Sequence, residues 1–159
     1  MSSLELKELS PRFIAMKKQS RMPYKVLVIE DQFLIAAAAE QVIADLGYEV
    51  VGAAASRSHA LDYVGKADIA LIDLNLLDGA SGLDIARDFA RTGTSVVIVT
   101  ANSTAVPSET DVAIGVLTKP VDDVSLSRTL KYLVSRIEGR AIRCPRELHL
   151  LSGAPTSED

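Results

Sequence analysis

Four apolar runs in this chain each lead straight into a residue that could do chemistry. KVLVIE runs through Glu30 into Asp31, ADIALIDL carries Asp73 near its end, TSVVIVTA carries Thr100 near its end, and AIGVLTKP ends on Lys119-Pro120. Three carboxylates meeting at one place would repel one another and raise their own pKa values unless a cation joined them. A hard divalent ion with oxygen ligands resolves that conflict, and Mg²⁺ fits best. A lysine and a hydroxyl beside such an ion supply what a phosphoryl group needs: charge neutralisation and a hydrogen-bond donor for its oxygens. Taken singly, each residue has an ordinary explanation, since a strand-ending Asp or Thr commonly caps a helix and a lysine is commonly solvated. The set, one residue type per strand end in this order, is what points to phosphoryl chemistry.

The elements that must position these residues follow from periodicity. The runs 25–30, 67–74, 94–101 and 113–120 read as buried strands, and YEVVGAA (48–54) is a fifth. Helical patterns lie between them. The first carries Ile35, Ala38, Ala39, Val42 and Leu46 at helical spacing and stops at Gly47. Later ones cover roughly 57–65, 82–91 and 123–137. Strand then helix, repeated about five times, forces parallel pairing with right-handed crossovers, which is a doubly wound α/β domain with a five-stranded parallel sheet. In such a sheet ligands sit beyond the carboxyl ends of the strands, where the acids, Thr100 and Lys119 all fall.

Composition narrows the function classes. The chain has 159 residues, enough for one domain, with 48% hydrophobic and 24% charged residues, the balance of a folded globular chain. Residues 1–25 carry a net +4, residues 26–137 a net −7 and residues 138–159 a net −1. An acidic middle argues against direct nucleic-acid binding and suits a cation site. No apolar run is long enough for membrane insertion and the N-terminus lacks the pattern of a secretory signal, so the expected location is cytoplasmic. Cys144 is the single cysteine, which excludes an intrachain disulfide. The expected organisation is an N-terminal extension over 1–23, the α/β domain over 24–138 and a C-terminal tail over 139–159, with LSGAPTSED read as frayed and polar. Leu6, Leu9, Phe13, Ile14 and Met16 could line one side of a broken helix in the extension, either as a docking element or as an unstructured leader.

VLVIED, LIDLNLLDG, VVIVTAN and VLTKP, in that order and spacing, resemble the receiver domain of two-component response regulators, and the resemblance covers about residues 24–138. It implies a flavodoxin-like fold in which Asp73 accepts a phosphoryl group from a histidine kinase or a histidine phosphotransfer protein. It further implies that Glu30, Asp31, Asp73 and the backbone carbonyl of Asn75 hold Mg²⁺, that Lys119 contacts the phosphoryl oxygens, and that Thr100 moves toward them, with Ala101 also contributing to phosphate binding. In the family the Lys-Pro peptide is typically cis. Asn75 and Asn102 resemble positions that tune hydrolysis, and neither offers a carboxylate base.

The chain departs from the family pattern at three places. Leu77 stands where the family usually has proline. The stretch between Thr100 and Lys119 is short and polar, so the fourth helix should be shortened, irregular or missing. Val116 replaces a large aromatic, and valine is too small and stiff to report by a ring rotation. Ser103 to Asp111, with few large apolar side chains, is then expected to be weakly held and to order or shift on phosphorylation. The roughly 21 residues after the fifth helix are too few for an output domain, which points to a stand-alone receiver that is not an enzyme and signals to an unknown downstream protein, with homodimerisation left open. The alternatives are a phosphate-shuttling relay intermediate or sink, a degenerate receiver acting as a constitutive scaffold, and a haloacid dehalogenase-like Mg-dependent phosphatase. That last class normally has Asp-x-Asp at the first strand.

Overall fold

The computed structural model describes residues 23–76, 79 and 82–153. The readings made for the N-terminal extension, for Leu77 and for the last six residues lie outside the described residues. The elements run β1 Lys25–Ile29, α1 Phe33–Asp45, β2 Glu49–Ala54, α2 Arg57–Leu61, β3 Ile69–Asp73, α3 Gly82–Arg91, β4 Ser95–Thr100, a 3₁₀ turn Ser103–Ala105, β5 Gly115–Thr118, α4 Asp123–Ile137 and β6 Leu148–Leu150. The sheet order is β2-β1-β3-β4-β5-β6. Its first five strands are parallel, as a doubly wound, flavodoxin-like α/β fold requires.

The β-branched strands are buried on both faces because a helical layer covers each. On one face Val26, Val28, Ile69, Leu71, Val97 and Leu117 pack with Ile43 of α1 and Leu130 and Leu133 of α4. On the other, Leu27, Ile29, Ala70, Ile72 and Ile98 pack with Ala60 of α2 and with Ile85 and Phe89 of α3. α4 begins where the Asp122 carboxylate accepts the Ser125 N–H at 2.7 Å, which satisfies one of the donors a helix start leaves unpaired. The inward stripe of α1 is rotated from the expected one: Ala36, Val42 and Ile43 are buried while Ile35 is 39% exposed.

Two other differences matter for function. No α-helix forms between β4 and β5, only the single 3₁₀ turn, so the expected shortening of the fourth helix is present in full. The segment that replaces it is nevertheless anchored, against the expectation of weak packing, because Val106 and Val112 are buried against Val116 and the α3 side of the sheet. The five-stranded parallel sheet is extended by a sixth strand, β6, drawn from the stretch read as a tail. It pairs antiparallel with β5, Leu117 opposite Leu148 and Gly115 opposite Leu150. Gly115 permits this close approach, since a Cβ there would stand 2.7 Å from the His149 carbonyl oxygen.

Candidate functional site

Chain order in the sheet reverses between β1 and β3, and the crevice beyond their carboxyl ends is where a doubly wound sheet leaves room for a ligand. β1 delivers Glu30 and Asp31 to that crevice, β3 delivers Asp73, and β5, two strands away, delivers Lys119. The Lys119 ammonium spans the gap. Its Nζ donates to Glu30 Oε2 at 2.8 Å and to Asp73 Oδ2 at 3.0 Å. Both carboxylates are buried, at 6% and 5% exposure. The Lys119-Pro120 peptide is cis.

Backbone donors fix the remaining carboxylate oxygens. The Gln32 N–H reaches Glu30 Oε1 at 3.1 Å and the Asn75 N–H reaches Asp73 Oδ1 at 3.0 Å. Burial raises the Glu30 carboxyl above its ordinary range, the hydrogen bonds from Lys119 and Gln32 pull it back, and the charge of Asp73 raises it again. Burial would depress the Lys119 ammonium, but its bonds to Glu30 and Asp73 and the charges of both outweigh that, so its pKa is raised. The lysine is therefore charged at neutral pH and bound to two acids.

One oxygen from each of Glu30, Asp31 and Asp73 falls within 4.8 Å of the others. Three carboxylates served by a single ammonium leave an excess of negative charge, and an all-oxygen donor set of this kind fits a hard divalent cation such as Mg²⁺. Thr100 is fully buried at the end of β4, and its Oγ1 accepts the Asn102 N–H at 3.1 Å. Its carbonyl accepts the Lys119 N–H at 2.8 Å, tying the hydroxyl strand to the lysine strand. Ala101 lines a cavity of about 550 Å³ together with Asp73, Lys119, Leu34 and Ile35.

Two features were missed in reading the sequence. The sequence gives Lys119 a place at a phosphoryl group, and the structure adds that it bridges Glu30 and Asp73, residues 89 and 46 positions away that no local pattern marks as its partners. Gly82 is the other. A Cβ there would stand 2.5 Å from the Asp73 carbonyl oxygen and 2.6 Å from Leu74 Cα, so only glycine lets α3 start against the backbone of the Asp73 loop. A glycine at the opening of a helical pattern was the signal available for it.

A profile of the response regulator receiver domain matches residues 26–131. The phyllosphere-induced regulator PhyR of Methylorubrum extorquens is 36% identical over 84 residues, which are 50% of this chain and 32% of that protein. This chain thus spans about a third of the length of the curated relative it matches. Among solved structures, the receiver domain of PhyR from Erythrobacter litoralis aligns over 72% of this chain and 92% of its own, with a TM-score of 0.62 and 28% identity. The anti-anti-sigma factor PhyR of Bartonella quintana aligns over 82% of this chain and 57% of its own, with a TM-score of 0.56 and 28% identity.

Proposed function

The chain belongs to the response regulator receiver family, and from that premise we propose that it is a phosphorylation-activated switch, with Asp73 as phospho-acceptor and a histidine kinase or histidine phosphotransfer protein as donor. The observation that carries this reading is the Lys119 ammonium held against the buried Asp73 carboxylate within the trio of acids. In the step, an Asp73 carboxylate oxygen attacks the phosphorus of phosphohistidine as the P–N bond breaks, and the bonding pair leaves on the imidazole nitrogen, which takes a proton. Such transfer depends on positioning and on neutralising the phosphoryl oxygens. Lys119 supplies part of that charge, and the Asn75 and Gln32 amides hold the carboxylates in place. Glu30, Asp31, Asp73 and the Asn75 carbonyl are the proposed holders of Mg²⁺, whose contribution when bound is further charge neutralisation at the same oxygens. Thr100 and Ala101 are the proposed donors to the phosphoryl group on its other side. The output is a protein–protein interaction; the anti-anti-sigma role named for the Bartonella relative stays with that protein.

The test is uptake of label from a small-molecule phosphodonor such as acetyl phosphate. The full chain should be labelled in Mg²⁺ and not in chelator, and Asp73→Asn should remain unlabelled. Equal labelling of the variant would overturn the assignment. Steady release of phosphate from a phosphomonoester would instead favour the phosphatase reading.

A further inference from the structure

After α4 the chain turns back, and residues 148–150 pair along the outer edge of β5. The contact is specific rather than loose. Leu148 is buried with the α4-side core, and its Cδ1 lies 2.8 Å from where a Cβ on Gly115 would stand. Beyond β6 the bonds reach past β5 into the segment that replaces the missing helix. The Leu151 N–H donates to the Ile114 carbonyl at 3.0 Å, and Ser152 donates to the Ser108 carbonyl from both its N–H, at 3.0 Å, and its hydroxyl, at 2.8 Å. The Thr110 N–H returns a bond to the Ser152 carbonyl at 3.2 Å.

The segment gripped in this way starts at the site. Asn102 donates its N–H to Thr100 Oγ1, and Thr104 donates its hydroxyl to Asn102 Oδ1 at 2.6 Å. A shift of the Thr100 hydroxyl toward a phosphoryl group would take away the acceptor of the Asn102 N–H and disturb the start of this segment, whose next fixed points are the buried Val106 and the Ser108–Thr110 grip. With the 3₁₀ turn as its only regular structure, the segment beyond Val106 is tied at Ser108 and Thr110 by its bonds with Ser152.

We propose that residues 141–153 are a strap that holds the 102–114 segment in its resting arrangement and masks the outer edge of β5, and that a phosphoryl group on Asp73 loosens it. This inference rests on the reading of Asp73 as phospho-acceptor. The strap and the phosphoryl group bias one element in opposite directions, so their coupling is reciprocal: whatever loosens the strap also favours the phosphorylated arrangement.

Amide hydrogen exchange on the full chain, with and without beryllofluoride in Mg²⁺ as the phosphoryl mimic, tests it. Peptides spanning 146–153 should exchange about tenfold faster with the mimic, within the usual range of coupling between two sites. In Asp73→Asn they should not change. Ser152→Pro removes the N–H and the hydroxyl that reach Ser108 at an exposed position that leaves the core intact, and it should bind beryllofluoride more tightly by about the same factor. If amides near Asp73 and Thr100 respond to the mimic while 146–153 do not, or exchange more slowly, the strap is refuted and the phospho-acceptor reading stands. Unchanged affinity in Ser152→Pro refutes it as well. If neither the site nor the strap of the wild-type chain responds, the phospho-acceptor reading fails and the strap falls with it.

Discussion

Lys119 has two partners in the resting site, and removing it leaves Glu30 and Asp73 buried without their cation. Hydrogen bonds to charged groups contribute about 1.5–3 kcal/mol, so Lys119→Ala should lose about 2 kcal/mol in metal-free buffer. Mg²⁺ should restore most of that loss, because the variant still carries all three carboxylates and a ligand that binds only the folded state stabilises it. Urea unfolding with and without Mg²⁺ measures both quantities, and a variant as stable as wild type in chelator would contradict the buried pairing. Gly82 makes a second residue-scale case. Gly82→Ala would push against the Asp73 carbonyl and shift the carboxylate proposed as acceptor, and a misplacement of about 1 Å can cost a hundredfold in rate. Its initial rate of labelling should fall by about ten- to a hundredfold.

At the scale of elements, α4 depends on its cap. The Asp122 pKa is lowered, first by the backbone hydrogen bond from Ser125. A carboxyl depressed in the folded state stabilises above its unfolded value and loses that contribution as pH falls through the folded one. Asp122→Ala should therefore melt at a lower temperature than wild type at pH 7, and the gap should close as pH drops below the ordinary value of 3.8. A gap that persists in acid would assign the effect to something other than the charged cap. The elements also divide by how legible they were. Four of the five parallel strands announced themselves as short apolar runs buried on both faces, β2 at the sheet edge being the weaker signal, and the candidate site residues stood out because they abut those runs. α2 was read as 57–65 and ends at Leu61; Tyr63 lies across Gly52 of β2, where a Cβ would stand 2.6 Å from the ring, and the chain continues in tight turns. β6 was illegible for a tertiary reason. Three residues with a single buried one make no pattern, and the close pairing depends on a glycine on the neighbouring strand.

The described residues form two apolar layers separated by one sheet. Phe89 of α3 is fully buried on one face of the sheet and Leu133 of α4 on the other. Phe89→Ala should cost about 3–5 kcal/mol and Leu133→Ala about 2–5 kcal/mol. With the sheet between them and no shared cluster, the double variant should lose the sum to within about 0.5 kcal/mol. Denaturant titration of the four proteins decides this; a larger departure would mean that strain crosses the sheet. The strand order carries a consequence for biosynthesis as well. Glu30, Asp31 and Asp73 are all in place once residues 25–73 have formed their strands, whereas Lys119 arrives only with β5. A nascent chain that has emerged through α3 thus carries all three acids and not yet the lysine that bridges two of them. Docking of β5 completes the parallel part of the sheet and brings in the ammonium that offsets part of that charge, so the last parallel strand to leave the ribosome is the one that relieves the acids gathered by the earlier half.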